Sequence, residues 1–254
     1  MNIAVWVERN ARAFPHHAAL ARGEAVHADW AAFARRTAAV AGALLGDHGC
    51  RPGDRVALVM KNSCEYLEAL FGIWHAGLVA VPVNAKLHPA EISWILEHSG
   101  ASTVFTDPGL ADNVKAPAMI VAPGDHWARL VDGPAVPRAD RRPEDPAWLF
   151  YTSGTTGRPK GATLTHRNLL LMSLSYFADI DPVAPADAIF HAAPLSHGSG
   201  LYGLPHIARG ATNVVPESGG VDAAEIASLL ARWQGVSFFA APTIVGRLLA
   251  EPAM

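Results

Sequence analysis

Leu149-Phe150-Tyr151-Thr152-Ser153-Gly154-Thr155-Thr156-Gly157-Arg158-Pro159-Lys160-Gly161 is the stretch on which the reading of this chain turns. Three glycines, a serine, three threonines and a lysine follow a short apolar run. Glycines let consecutive backbone N–H groups converge on one point. Hydroxyls add rotatable donors, and the lysine adds a full positive charge. A ligand that needs all of these at once is a polyphosphate.

The spacing excludes the commonest phosphate loop. A Walker A motif places Gly-Lys-Ser/Thr after four residues, with a helix opening at the lysine. Here Lys160 follows Pro159 and precedes Gly161. Pro159 turns Arg158 away from helical geometry and has no N–H to donate. Beyond Lys160, Ala162 and Leu164 alternate with Thr163 and Thr165, the period of a strand. The loop is therefore expected to join two strands as a hairpin-like excursion. Thr165 is expected to cap a helix over about 166–177 that carries Leu169, Leu170, Met172 and Leu174.

The flanks alternate between strands and helices. Helices are expected over 3–14, over 30–45 with Asp29 as N-cap, from an Asn62/Ser63 cap to Gly77, and from His88-Pro89 to Gly100. Strands are expected over 55–60, 78–83, 103–106 and 119–121. The prolines at 123, 134, 137, 143 and 146 break the pattern and read as a surface connection. After the loop, strands over 188–192, 211–215 and 236–240 alternate with helices over 197–209, 222–233 and 243–249. This order predicts an α/β protein of two stacked, mostly parallel β-sheet layers with flanking helices. The segments are 1–122, a Pro-rich connection at 123–146, and a loop-bearing part at 147–254. Trp74, Trp94 and Trp233 fall on apolar helical faces and read as core.

Composition narrows the function classes. Half of the 254 residues are hydrophobic, and 20 basic residues against 23 acidic leave a net charge of −3 without a basic run, so nucleic acid is not an expected partner. Cys50 and Cys64 have no CxxC partner and read as buried thiols of a reducing, cytoplasmic protein. No run is long enough to span a membrane, so stable membrane insertion is not expected, while transient contact with lipid stays open. The start of the chain lacks the pattern of a signal peptide. Twelve histidines show no metal-ligand spacing, and no metal site is assigned.

The loop resembles the signature of the adenylate-forming superfamily of acyl-CoA synthetases, peptide-synthetase adenylation domains and luciferases. Ala193-Pro194-Leu195-Ser196-His197-Gly198-Ser199-Gly200 is similar to the family segment in which a histidine follows a strand and borders the acyl pocket. Lys61-Asn62-Ser63, the run from Phe71 to Gly77, Val81-Pro82-Val83-Asn84 and Phe239-Ala240-Ala241-Pro242-Thr243 look like further acyl-CoA synthetase segments. The likeness covers nearly the whole chain.

The resemblance implies an ATP-dependent acid–thiol ligase that activates a carboxylic or fatty acid through an acyl-adenylate, using ATP, Mg²⁺ and coenzyme A. It implies that Thr152, Ser153, Gly154, Thr155, Thr156, Gly157 and Lys160 hold the β- and γ-phosphates. By the same resemblance His197 orients the carboxylate or lines the thiol channel; a capping histidine without chemical role is the alternative. Tyr202 reads either as a gate to the acyl tunnel or as core. An adenylation domain serving a carrier protein and a non-catalytic nucleotide-binding remnant are the other functions the pattern admits. Family members continue with a Tyr-Gly-x-Thr-Glu block, a ribose-binding aspartate and a small C-terminal domain bearing a lysine. None of these occurs here, so the expectation is an N-terminal part that lacks the lysine domain and is inactive alone. An incomplete sheet exposes an edge, which leaves a homo-oligomer open.

Overall fold

The computed structural model describes residues 1–152 and 159–250, the side chain of Asn113 apart. In chain order its elements begin with α1 (Val5–Ala13), β1 (Ala18–Arg22), β2 (Ala25–Asp29), α2 (Trp30–Gly46), β3 (Arg55–Met60), α3 (Cys64–His75), β4 (Val79–Asn84), α4 (Pro89–Ser99), β5 (Thr103–Thr106), β6 (Ala118–Val121) and α5 (Asp125–Val131). They continue with β7 (Pro146–Thr152), β8 (Lys160–Thr165), α6 (His166–Asp179), β9 (Ala188–Phe190), α7 (Gly198–Arg209), β10 (Thr212–Val215), α8 (Ala223–Arg232), β11 (Val236–Phe238) and α9 (Pro242–Leu249). The chain forms two compact units. The first holds Met1–Val5, Ala34–Lys61 and Glu65–Leu170, and the second holds Trp6–Phe33, Asn62–Cys64 and the chain from Leu171 onward.

The sheet of the first unit runs β6-β5-β3-β4-β7-β8. All neighbours are parallel except β7 and β8, which form an antiparallel hairpin. Parallel strands are covered on both faces, which is why Arg55-Val56-Ala57-Leu58-Val59-Met60 reads as a continuous apolar run with only Arg55 reaching solvent. Pro82 sits inside β4 opposite Leu58 of β3. In a parallel strand, alternate residues face alternate neighbours, so Pro82 faces the same side as Ala80, which pairs with Trp148 of β7. Pro82 has no N–H to extend that ladder, and the β4–β7 pairing stops at Ala80↔Trp148. The hairpin that carries the glycine loop thus extends the sheet beyond β4 with a single register pair joining β7 to it.

Close packing fixes the helices around this sheet. A Cβ at Gly72 of α3 would come within 2.3 Å of the Val40 side chain of α2, so glycine sets the approach of the two helices. Between the same helices the Arg36 guanidinium donates to both oxygens of Glu68, at 2.6 and 2.9 Å, and Glu68 is fully buried. Trp74 lies against Trp148 with ring centroids 5.9 Å apart, and its indole N–H donates to the Ala147 carbonyl at 2.7 Å.

The sheet of the second unit runs β11-β9-β10-β1-β2 and is parallel except at the β1–β2 hairpin. Phe190, Val214, Ile226 and Leu229 form its core. The C-terminal ends of β9, β10 and β11 share one edge.

Two expected sheets, the flanking helices and most boundaries match. Three local expectations do not. Residues 123–146 are not irregular throughout: α5 buries Trp127, Leu130 and Val131, a helical spacing that the surrounding prolines obscured. The β1–β2 hairpin was not expected, although Gly23, with φ +57°, marks its turn. Asn62 does not cap α3, which opens at Cys64; its side chain is engaged elsewhere, as described next.

Candidate functional site

The glycine loop springs from a rigid base. Thr152, the last residue of β7, lies opposite Lys160, the first of β8, and both side chains are exposed. Below them Tyr151 pairs with Gly161. A Cβ at Gly161 would meet the Tyr151 ring at 2.9 Å, so glycine lets the ring lie across the partner strand. The Tyr151 hydroxyl hydrogen-bonds His98 Nδ1 at 2.8 Å, and Trp94 stacks on His98 at 4.6 Å one helical turn away on α4. Burial raises the Tyr151 pKa, so the phenol stays protonated and able to donate. The hairpin geometry expected for the loop is present, with Thr165 Oγ1 accepting from the Asn168 N–H at the start of α6. The predicted phosphate-binding residues Ser153, Gly154, Thr155, Thr156 and Gly157 lie outside the described residues.

In the second unit His197 is the N-cap residue of α7 but makes no side-chain cap to the helix. It is half-buried, its Nδ1 shares a 2.9 Å hydrogen bond with Ser196 Oγ, and burial lowers its pKa. The seven-residue turn from His191 to His197 follows the C-terminal end of β9. That turn is held by Asn62. The Asn62 amide nitrogen donates to the His191 and Ala193 carbonyls at 2.7 and 2.8 Å, and its oxygen accepts from the Leu195 N–H at 2.8 Å. All of the amide's polar atoms are thus spent on one turn.

Aromatic rings flank the same segment. A Cβ at Gly198 would meet the Phe239 ring at 2.7 Å. Phe239 packs against Tyr202 at 5.2 Å, and Tyr202 stands edge-on to Tyr176 at 5.3 Å. Deeper in the unit His191 is fully buried, with Nδ1 2.8 Å from Ser199 Oγ and Nε2 2.9 Å from Asn213 Oδ1.

The structure thus brings Thr152 and Lys160 together and sets His197 on a clamped turn. Sequence reasoning missed Asn62 as that clamp, His191 with Ser199 and Asn213, and Phe239 over Gly198. For Asn62 the available signal was a second cap-forming residue immediately before Ser63, which left one of the two spare. The described residues contain no group of three or more His, Cys, Asp or Glu side chains suited to a metal ion. Both cysteines are buried free thiols. Among the described residues, no helix is long and apolar enough to cross a membrane.

The hairpin in one unit and the histidine turn in the other belong to an α/β architecture, and comparison with known proteins makes the class specific. The AMP-binding enzyme family model matches residues 7–254, and the chain belongs to that family. It is 35% identical to a feruloyl-CoA synthase of Amycolatopsis sp over 97% of this chain and 50% of the relative. It is 34% identical to the long-chain-fatty-acid–CoA ligase FadD13 of Mycobacterium tuberculosis over 69% of this chain and 36% of the relative. Among solved structures, a benzoate CoA ligase from Burkholderia xenovorans LB400 superposes with a TM-score of 0.88 at 27% identity, covering 99% of this chain and 52% of the other. The chain spans about half the length of these relatives.

Proposed function

We propose that this chain supplies the phosphate-binding hairpin and acid-orienting turn of an ATP-dependent acid–thiol ligase that activates a carboxylic acid as its acyl-adenylate before transfer to coenzyme A. The observation that carries the reading is the Thr152–Lys160 register. A Gly/Ser/Thr loop closed by a facing lysine, on a hairpin stiffened by Tyr151 and His98, is suited to gripping a polyphosphate. Attack of a carboxylate on the α-phosphorus brings two anions together. The loop N–H groups and hydroxyls, with Lys160, counter the charge of the departing pyrophosphate and hold the triphosphate in line. His197, kept largely neutral at pH 7 by burial, offers a hydrogen bond to the acid without adding a charge. Mg²⁺ supplies further phosphate neutralisation in such chemistry; the described side chains provide no cluster for it, and no step here is assigned to it.

The acid is an aromatic one in this reading. The rings of Phe239, Tyr202 and Tyr176 pack edge to face beside Gly198, a stiff wall that favours a flat acid over a long flexible chain. The resemblance to feruloyl-CoA and benzoate ligases supports the same choice. ATP–pyrophosphate exchange by the complete protein, measured with ferulate, benzoate and palmitate, tests both points. Exchange with the aromatic acids above palmitate is expected. No exchange with any acid refutes the ligase reading, and a preference for palmitate refutes the aromatic one.

A further inference from the structure

His191 has no place in the reaction outlined above, yet it is fully buried and both of its ring nitrogens are engaged. The partners fix its tautomer. Asn213 Nδ2 donates to the Ala211 carbonyl at 3.3 Å, which leaves Oδ1 as the atom facing the ring. An amide oxygen only accepts, so His191 donates from Nε2. Nδ1 is then the acceptor, and the Ser199 hydroxyl donates to it across 2.8 Å.

These contacts stitch three elements together. His191 directly follows β9, Asn213 lies in β10, and Ser199 is in the first turn of α7. One turn further along the helix, a Cβ at Gly203 would stand 3.0 Å from His191 Cε1 and 3.2 Å from Asn213 Oδ1. The helix face over the ring is therefore kept bare. Burial, aided by the charge of His206, lowers the His191 pKa to about 4, so Nδ1 keeps its lone pair at neutral pH. Ser199 is wholly buried and cannot meet a substrate as a nucleophile. Asn62 fixes the turn at 193–195, and Ser199 fixes it at its other end. His197 lies between the two anchors.

We propose that His191 is a positioning residue: donating to Asn213 and accepting from Ser199, its ring pins the first turn of α7 to the sheet and thereby sets the orientation of His197. The inference rests on the reading that His197 meets the acid. It is tested on the complete protein with Ser199→Ala, His191→Asn and His191→Gln. The Asn side chain can place an amide oxygen near the position of Nδ1 and keep the Ser199 bond; the Gln side chain can place an amide nitrogen near Nε2 and keep only the Asn213 bond. Ser199→Ala removes a single oxygen, so it remains a usable variant if the histidine changes impair folding. Expected results are a loss of about tenfold or more in acid-dependent kcat for Ser199→Ala and His191→Gln, within the hundredfold that a misplacement of about 1 Å can cost. The KM for ATP is expected to stay unchanged, and His191→Asn to restore kcat. Nitrogen-15 shifts of the imidazoles are expected to show the Nε2–H tautomer at His191 and a displaced His197 resonance in Ser199→Ala. Normal kcat in Ser199→Ala with a lowered Tm, an Nδ1–H tautomer, or an unmoved His197 resonance overturns the proposal. If the unsubstituted protein shows no acid-dependent exchange, the functional reading fails, and the two NMR measurements still decide whether His191 positions His197.

Discussion

Lys160 and His197 carry the chemistry proposed for single residues, and they separate by kinetics. Lys160 is exposed at the mouth of the hairpin, facing Thr152. Lys160→Ala is expected to raise the KM for ATP roughly tenfold to a hundredfold, since a hydrogen bond to a charged group contributes about 1.5–3 kcal/mol. Tm should not move, because the side chain packs against nothing it would leave empty. Unchanged pyrophosphate exchange would remove Lys160 from the phosphate site. His197→Ala is expected to do the opposite: the dependence on acid deteriorates while ATP binding persists, and Tm shifts little because a half-buried side chain beside Gly198 fills little core volume. A fall in Tm with normal kinetics would make His197 structural. Both residues were legible in the sequence because each stands in a block whose spacing is itself informative. His191 was not. A buried histidine between Phe190 and Ala192 differs from a core residue only through its partners Ser199 and Asn213, which lie on other elements. Nothing in local spacing connects them.

At the scale of elements, the hairpin and the histidine turn obtain their stiffness from contacts that propensity does not report. Helix ends and buried strands were readable: Asp29, Thr165 and Asp222 each accept a backbone N–H at the starts of α2, α6 and α8. The β1–β2 hairpin and α5 were not readable, one because its strands are alanine-rich and β2 is mostly exposed, the other because prolines surround it. Gly161 illustrates the hidden kind of constraint. It read only as another loop glycine, yet it accommodates the Tyr151 ring and so maintains the Tyr151–His98–Trp94 stack. Gly161→Ala is expected to displace that ring, lower Tm and raise the KM for ATP without removing any charge. A KM unaffected by Gly161→Ala would show that the hairpin base does not govern the loop. Asn62 makes the corresponding case for the histidine turn. Asn62→Ala leaves two carbonyls and one N–H without their partner, a cost of about 1–3 kcal/mol. Asn62→Asp should not rescue it, since a carboxylate sets its oxygens against the His191 and Ala193 carbonyls. Equal stability of Asn62→Asp and the unsubstituted protein in urea unfolding would contradict this account of the clamp.

For the molecule as a whole, the pH dependence of stability is led by two buried histidines, one in each unit, with His48, His197 and His206, also lowered by burial, acting in the same direction. His166, in the first, accepts from the Ile3 N–H; burial chiefly, then the Arg141 guanidinium and the amino terminus, lower its pKa to about 4 against the opposing pull of Asp145. His191, in the second, is lowered to about 4 by burial. In the unfolded chain both titrate near about 6.5. Between those values the unfolded state binds protons that the native state excludes, so stability falls as pH falls. The contribution is fully present above about 6.5 and lost as pH drops through about 4, on the order of 3 kcal/mol for each histidine. The Asp145 carboxyl acts at lower pH. The Arg142 N–H, with Arg141 and the Arg142 side chain, holds it below the usual carboxylate range, so its contribution is lost only in stronger acid. Asp107, raised by burial, works in the opposite direction and softens the slope. His166→Gln retains an acceptor for the Ile3 N–H but has no proton to gain. It is expected to reduce the loss in unfolding free energy between about pH 6.5 and 4 by His166's own share, leaving that of His191 and the other buried histidines. Urea unfolding at several pH values measures this directly. A slope equal to that of the unsubstituted protein would mean that His166 titrates alike in both states and that its burial is relieved by solvent.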